Sequence, residues 1–193
     1  MIKLIPLMIL LVGVSGALAQ GTVNFRNNQT DFPTTSIDRD IYAADMVTPL
    51  VGTNFQARLV FGADAASLQP ATYTTPARFR AVTTGAALAG TWSGDTRTLP
   101  GYAPGSTVML QVQVWDSTGG RTFDEVRAGN GNNGAFGQSA IFAYTVPPAG
   151  TLNPQPYYLD NLRSFSIIVP EPSVIGLGLI GVGALFMLRR RKA

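Results

Sequence analysis

Apolar side chains recur at every second position along several short segments in the interior of the chain. In the first segment, four apolar residues alternate with other side chains: Phe55, Ala57, Leu59 and Phe61. A period of two is that of a β-strand, because successive side chains of a strand point to opposite faces of a sheet. The same period recurs over 108–114, 142–146 and 165–169, with weaker signals over 22–26, 78–82 and 90–98. The interior is therefore predicted to be all-β.

Residues typical of turns lie between these segments, among them glycine, proline, asparagine and aspartate. Short strands joined by turns, without a long helical period, are typical of a β-sandwich. Residues 20–169, called the body below, are predicted to form one such domain, jelly-roll or immunoglobulin-like in outline. One helical turn is expected, because Thr122 and Glu125 have capping-box spacing and Gly129 is placed to end it.

The segment around residue 112 has two faces of different character. Its apolar face is predicted to point into the core and carries Val108, Leu110, Val112 and Val114. The opposite face carries Gln111, Gln113 and Trp115. If that face is exposed, its amides and its indole form a surface on which a sugar ring can stack and hydrogen-bond. The alternative is that Trp115 closes one end of the core or packs under a neighbouring loop, because tryptophan is usually largely buried.

The body contains no cysteine, histidine or lysine. The usual ligands of zinc, copper and haem are therefore missing, as are the groups of Cys–His, Ser–His–Asp and Ser–Lys catalysis. Carboxylates are the catalytic groups that remain. The adjacent acidic pair Asp124-Glu125 is a poor candidate for glycoside hydrolysis, because neighbours in sequence point in different directions. The protein is predicted to be non-enzymatic, with no catalytic residue, metal or cofactor.

Two segments are rich enough in side-chain oxygens to raise the question of calcium binding. One contains Asp38, Asp40 and Asp45, and the other contains Asn130, Asn132 and Asn133. Neither has the ordered acidic series, ending in glutamate, of an EF-hand loop. Solvated loops and turns are the preferred interpretation of both segments.

The whole chain has a net charge of +3, but the excess of basic residues lies at its two ends. The body has nine arginines and ten acidic residues, a balance of −1. A nucleic-acid-binding protein carries a basic patch on its folded part. The body is therefore not expected to bind nucleic acid.

The N-terminus has the three parts of a secretory signal peptide. Lys3 gives a positive start, residues 4–14 form an apolar run, and Ala17-Leu18-Ala19 places small residues where signal peptidase inspects the chain. The run is shorter than the roughly 20 residues of a transmembrane helix. Residues 1–19 are therefore predicted to be recognised by Sec-type export machinery and removed by signal peptidase, which leaves Gln20 as the first mature residue.

A second apolar run, Val174–Leu188, is followed by four basic residues: Arg189, Arg190, Arg191 and Lys192. As a helix this run is about 22 Å long, which spans a bilayer that thins locally or whose flanking arginines extend to the interface. Basic residues beside a membrane span stay on the cytoplasmic side. Residues 174–188 are therefore predicted to be a transmembrane helix with a cytoplasmic basic tail and the body outside the cytoplasm.

The tripeptide Pro170-Glu171-Pro172 lies just before this run. Two prolines at this spacing keep the backbone extended around Glu171, a shape that a processing enzyme needs. Over residues 170–193, the tripeptide, the glycine-rich apolar run and the arginines together resemble the PEP-CTERM sorting signal. The resemblance implies recognition by exosortase, a membrane-embedded enzyme similar to cysteine transpeptidases, in the inner membrane of a Gram-negative bacterium. The alternative is an ordinary tail anchor after a proline hinge.

These features together predict an exported, exosortase-sorted protein of the cell surface or extracellular matrix that has no enzymatic activity. Its expected partners are the export machinery, signal peptidase, exosortase, the inner membrane during sorting, and extracellular polysaccharide. The alternative function is an extracellular carbohydrate-binding module that uses the face of Gln111, Gln113 and Trp115.

Overall fold

The computed structural model describes residues 20–28, 37–73, 77–81, 83, 86–129, 134–148 and 159–170. These residues form the strands β1 Gly21–Asn24, β2 Ile41–Tyr42, β3 Phe55–Gly62, β4 Gln69–Pro70, β5 Ala77–Phe79, β6 Trp92–Ser93, β7 Thr96–Leu99, β8 Thr107–Asp116, β9 Phe136–Gln138, β10 Phe142–Thr145 and β11 Phe165–Ser166. One short helix, α1, spans Phe123–Arg127, and 3₁₀ turns span Ala86–Leu88 and Thr118–Gly120. The described residues are all-β, as the alternating segments predict.

Two long antiparallel strands, β3 and β8, form the centre of a seven-stranded sheet. Every residue of β3 has a partner on β8. Directly opposite residues share a face of the sheet, so the apolar series of the two strands coincide. Leu59 lies opposite Val112, and both side chains are fully buried. The predicted core face of this sheet is confirmed.

The strand order of this sheet is β10-β8-β3-β5-β6, and β4 also pairs with β3 and β9 with β8. β6 pairs with β5 at the end of the sheet. β9 and β10 occupy successive stretches of the same edge of β8. Ser139 bridges the gap between them, since its hydroxyl accepts from Val112 N at 3.0 Å and its own N–H donates to Val112 O at 2.9 Å. The pairing along this edge of β8 therefore passes from β10 to β9 without leaving the Val112 N–H unpaired.

Two smaller sheets share a core with the large one. β1 pairs with β7 in antiparallel register, and β2 pairs with β11 in parallel register. Val23 and Leu99 of the first pair and Ile41 of the second join a single cluster with the apolar residues of β3 and β8. Burying a side chain of this size contributes about 1.5–3 kcal/mol. Three sheets therefore build the core together.

The second face of β8 is buried as well, so the exposure that a ligand surface of Gln111, Gln113 and Trp115 would need is not present. Trp115 is only 4% exposed and Gln113 only 7%. Helix α1 covers this face: Phe123 packs edge-on against Trp115 with ring centroids 6.2 Å apart, and Val126 joins the same cluster. Polar side chains also line a buried face when another segment supplies their hydrogen-bond partners, so the polar residues of this face did not indicate exposure.

Helix α1 forms where the capping-box spacing predicts it. The Thr122 hydroxyl accepts from Glu125 N at 3.3 Å, and the Glu125 carboxylate accepts from Thr122 N at 2.7 Å. Gly129 follows the helix with a φ of 72°, a left-handed conformation that glycine adopts readily. The helical turn is confirmed. The strands β2, β4 and β9 were not predicted, because two or three residues are too few to show a period.

Candidate functional site at the C-terminal exit

We call residues 165–170, the last that the structure describes, the exit segment. It begins with β11, whose Phe165 and Ser166 lie beside Ile41 and Tyr42 of β2. The Ile167 side chain is buried, and its N–H donates to Tyr42 O at 3.0 Å. Backbone pairing and side-chain burial therefore both hold the exit segment on the body.

A second strand, β9, also holds the exit segment. The Ile168 N–H donates to Phe136 O at 2.7 Å, and the Phe136 N–H donates to Ile168 O at 3.0 Å. This close approach requires glycine at position 137, because a Cβ there would lie 2.7 Å from Ser166 O and 3.0 Å from Ile167 Cα. A lone glycine within a strand is the sequence signal of such an approach, and Gly137 carries that signal.

The hydrogen-bonded part of the exit segment ends at Ile168. Beyond it, none of the described backbone hydrogen bonds involves Val169 or Pro170. Val169 is half-exposed, and Pro170 has no N–H to donate. The fold therefore releases the chain at residue 169.

Residues 43–48, called the tip loop below, follow β2 and lie beside the exit segment. Asp45 organises this loop: its carboxylate accepts from the N–H groups of Val47 and Thr48 at 3.0 and 2.9 Å, and from the Thr48 hydroxyl at 2.5 Å. The hydroxyl bond is the main reason why the pKa of Asp45 is lowered, so this side chain stays ionised. The loop holds Met46 at a φ of 61°, in a region that residues other than glycine rarely occupy.

An open cavity of about 420 Å³ lies between the tip loop and the exit segment. Met46 and Val47 line it from the tip loop, and Phe165 lines it from the exit segment. Asp38 and Tyr42 complete the wall, and the Tyr42 hydroxyl donates to Asp38 at 3.0 Å. This hydrogen bond is the first cause of a raised pKa of Tyr42, followed by burial. The cavity thus lies between the apolar tip loop and β11, the first part of the exit segment.

The acidic side chains near this cavity support local structure. Asp38 accepts from the Asp40 N–H at 2.9 Å. Burial, and then repulsion by Asp38, raises the pKa of Asp40 to about 6. In the part of the chain that the structure describes, no three potential metal ligands come together. The asparagines of the other oxygen-rich segment lie outside the described residues: Asn130, Asn132 and Asn133.

A chain of polar side chains occupies the β8 face that was considered as an alternative sugar-binding surface. Arg58 donates to the Asp124 carboxylate at 2.9 and 3.0 Å and to Gln113 Oε1 at 2.7 Å. The Gln113 amide donates to Gln111 Oε1 at 3.2 Å, and the Gln111 amide donates to Ser139 O at 3.0 Å. These groups bond to one another and connect α1 to the sheet, so the two glutamines do not present free amides to a sugar.

Trp115 has a structural role on the same face. Its Nε1–H donates to Arg121 O at 2.8 Å, and its ring belongs to the cluster beneath α1. The interpretation that Trp115 packs under a neighbouring segment is confirmed, and the sugar-binding alternative loses its surface. The adjacent acidic pair is also structural, because Asp124 pairs with Arg58 and Glu125 caps α1.

Most residues of the predicted cleavage and sorting sites lie outside the described residues. They are Ala17, Ala19, Glu171, Pro172, Arg189, Arg190, Arg191 and Lys192, together with the predicted helix 174–188. Within the described ranges, no helix has the length and apolar character needed to cross a membrane. Gln20 is exposed and directly precedes β1, whose Gly21 N–H donates to Tyr102 O at 2.7 Å.

A match to a known family begins within the exit segment. The family model of the PEP-CTERM protein-sorting motif matches residues 169–192, so the match begins directly after Ile168. The chain carries a PEP-CTERM sorting motif. The motif marks an exported protein that is targeted to exosortase, with exosortase as its processing partner and a membrane-anchored precursor that is sorted to the cell surface. No curated protein and no solved structure matches the chain.

Sequence reasoning identified the sorting motif but did not identify the tip loop, which lies beside β11. The available signal is the apolar pair Met46-Val47 between Asp45 and Thr48. Aspartate and threonine side chains readily bond to nearby backbone groups, so a turn at this position exposes the residues between them. The pair is too short to show a period, and nothing local indicates which segment lies beside it.

Proposed function

We propose that this protein is a non-enzymatic β-sandwich that exosortase sorts to the surface of a Gram-negative bacterium, where it is retained or released into extracellular polysaccharide. Sec-type export machinery and signal peptidase act on residues 1–19. Residues 174–188 then hold the precursor in the inner membrane, with the tail Arg189–Lys192 in the cytoplasm. Exosortase recognises Pro170-Glu171-Pro172 and processes the chain there.

One observation carries this proposal: the backbone pairing of the body ends at Ile168, and the sorting motif begins at Val169. A processing enzyme needs an extended backbone whose polar groups are free, which a paired strand does not offer. Pro170 is two residues beyond Ile168, at most about 7 Å of extended chain. Exosortase can therefore reach its motif beside the body without unfolding β11.

The N-terminal end of the body supports cleavage after Ala19. A Cβ at Gly21 would lie 2.7 Å from Val146 Cγ1 and 2.9 Å from Tyr102 O, so β1 is packed tightly from its first residue. Gln20, directly before it, is exposed. Removal of residues 1–19 therefore leaves the strand and its core contacts in place, as processing beyond Ile168 does at the other end.

The chemistry of the body supports a role without catalysis. It has no cysteine, histidine or lysine. Several carboxylates close turns instead: Asp64 accepts from the N–H groups of Ala66 and Ser67, both at 2.9 Å. Asp116 accepts from the Thr118 N–H at 2.9 Å. Carboxylates that bond to backbone N–H groups in this way stabilise the turns of a displayed scaffold.

The test is Glu171→Ala in the full-length chain, expressed in a host that contains the exosortase. We expect a larger, membrane-bound precursor to accumulate, because the substitution removes the only charge between Val169 and Leu188. Ser173→Ala is the matched control, since it changes a neighbouring residue without altering charge, and it should be processed like the wild type. Immunoblots of membrane and surface fractions measure both. Release of the Glu171→Ala protein at the wild-type rate would contradict recognition of the tripeptide by exosortase and would leave it only the role of a hinge.

A further inference from the structure

The parallel pairing of β2 and β11 sets the position of the tip loop. Because the strands are parallel, the chain leaves both of them in the same direction. The tip loop follows β2, and residues 167–170 follow β11. Met46 and Phe165 line the same open cavity, so the tip loop lies beside the start of the exit segment. The tip loop therefore lies at the end of the body from which the chain continues into the sorting motif.

Four exposed apolar side chains lie on the two segments that follow β2 and β11. Met46 and Val47 of the tip loop are 73% and 77% exposed, and Ile168 and Val169 of the exit segment are 55% and 50% exposed. Among the described residues, the other exposed large apolar side chain is Ile141, which lines a groove beside α1. Exposed apolar residues that are scattered singly need no explanation, but a cluster marks a contact with protein or membrane.

The tip loop presents its apolar pair in a defined conformation. Met46 has a φ of 61°, which glycine or asparagine adopts more readily than methionine does. Three hydrogen bonds from Val47 and Thr48 to Asp45 hold the turn. Backbone strain that the surroundings maintain is typical of binding sites. A large apolar residue in this strained conformation is therefore consistent with a loop in which the Met46 side chain itself makes the contact.

The distance to the membrane is short in the precursor. Six residues lead from Ile168 to Val174, the start of the apolar run. Fully extended, they reach at most about 22 Å. The polar headgroup region on one side of a bilayer accounts for roughly 5–8 Å of this distance, from its total and hydrocarbon thicknesses. The exit segment and the tip loop are thus held close to the lipid surface while the precursor is anchored.

We propose that this end of the body rests on the outer surface of the inner membrane in the anchored precursor, with Met46 and Val47 inserted among lipid headgroups beside Ile168 and Val169. The inference rests on the anchored precursor of the proposed function. The anchor gives the body a high effective concentration at the membrane, so a weak contact is occupied in the precursor. The same contact does not retain the body once the anchor is removed. It orients the motif toward an enzyme that lies in the same membrane.

Charge at this end selects the kind of lipid. Asp38 lines the cavity beside the tip loop, and Asp45 within the loop stays ionised. Carboxylates near the surface are repelled by anionic headgroups, as basic residues are attracted by them. The surface that this end of the body contacts is therefore a zwitterionic lipid surface. The apolar side chains insert into it while the carboxylates remain in water.

The test uses residues 20–193, the anchored precursor after removal of the signal peptide, in phosphatidylethanolamine–phosphatidylcholine vesicles. The chain has no cysteine, so an introduced cysteine takes an environment-sensitive dye at a single position. Val47→Cys labels the tip loop, and Ile141→Cys is the matched control, an exposed aliphatic position elsewhere. We expect the dye at position 47 to shift its emission to the blue and to be quenched by lipids that carry a quencher, while the dye at position 141 keeps its emission in water. Equal spectra at the two positions would overturn the proposal.

Flotation of the vesicles separates this inference from the proposed function. If this precursor does not float with the vesicles, the proposed anchor at residues 174–188 is wrong. If it floats but the dye at position 47 reports water, the anchor is right and the lipid contact is wrong. A blue shift that appears only when exosortase is present would assign the tip loop to the enzyme and overturn the lipid contact. A larger shift on phosphatidylglycerol vesicles would contradict the selection by charge.

Discussion

The two faces of β8 are both buried, but they are buried by different means. On one face, Val112 packs in an apolar cluster to which all three sheets contribute. On the other, α1 covers Trp115, and hydrogen bonds run from Asp124 through Arg58 to Gln113. An apolar face can be covered by any apolar surface, whereas a polar face requires matched partners at specific positions. Alternation along a strand therefore reports the polarity of its two faces and not their exposure.

The largest effect is expected from a charge on the apolar face. Val112→Asp should destabilise the body by several kcal/mol, comparable with a total stability of about 5–15 kcal/mol, because the carboxylate has no partner in the cluster. Val47→Asp is the matched control, since it makes the same change at an exposed valine. It should stay within about 0.5 kcal/mol. Urea unfolding of both variants measures the difference, and similar midpoints would contradict the assignment of the core.

On the α1 side, the largest effect is expected at Trp115. Trp115→Ala should cost about 3–5 kcal/mol, because it opens a cavity beneath Phe123. Trp115→Phe keeps an aromatic ring but removes the indole donor to Arg121 O, and it should cost about 1 kcal/mol. Thermal or urea unfolding distinguishes the two variants. A loss below about 0.5 kcal/mol in the alanine variant would mean that Trp115 is on the surface after all.

The polar chain on this face can be tested with a pair of glutamines. Gln113 lies opposite Gln138 across β8 and β9, and Gln113 is buried whereas Gln138 is exposed. Gln113→Leu should cost about 1–3 kcal/mol, because Arg58 and Gln111 each lose a hydrogen-bond partner in a buried place. Gln138→Leu should stay within about 0.5 kcal/mol. Equal losses in urea unfolding would show that the polar chain does not stabilise this face.

The smallest effects are expected from changes in pH, and they have opposite signs for Asp40, near β2, and Glu125, in α1. Near β2, the pKa of Asp40 is raised to about 6 from an ordinary 3.8, so Asp40 stabilises the fold below 3.8 and this contribution is lost as pH rises through 6. In the first turn of α1, hydrogen bonds from the Thr122 N–H and hydroxyl lower the pKa of Glu125. Its contribution is present above its ordinary value and is lost as pH falls through the folded pKa.

Melting temperatures of Asp40→Asn and Glu125→Gln, measured across this range, check both signs. Acidification from pH 7 toward pH 4 should stabilise the wild type more than Asp40→Asn. Further acidification should destabilise the wild type more than Glu125→Gln. Parallel curves for the wild type and either variant would remove that residue from the account.

Several features of the fold could be predicted because they are local in the chain. The alternation of β3 and the capping box of Thr122 and Glu125 depend on residues that are neighbours in sequence. The pairing of β2 with β11 joins residues 41 and 165, and no periodic mark records a contact over that separation. The tip loop was not identified for the same reason, because its proposed role depends on its position beside β11, which is far away in sequence.

The sequence by itself determined the all-β class, one apolar face of the central strands and the sorting motif. Each of these depends on a periodic pattern or a motif formed by residues that are close together in the chain. The tertiary structure alone decided that the face of Gln113 and Trp115 is covered, because α1 supplies the cover from another segment. It also decided that the tip loop lies where the chain leaves the body, because a parallel strand pair brings distant segments to one end. Burial and adjacency are properties of the packed chain, and residues far apart in sequence create them together.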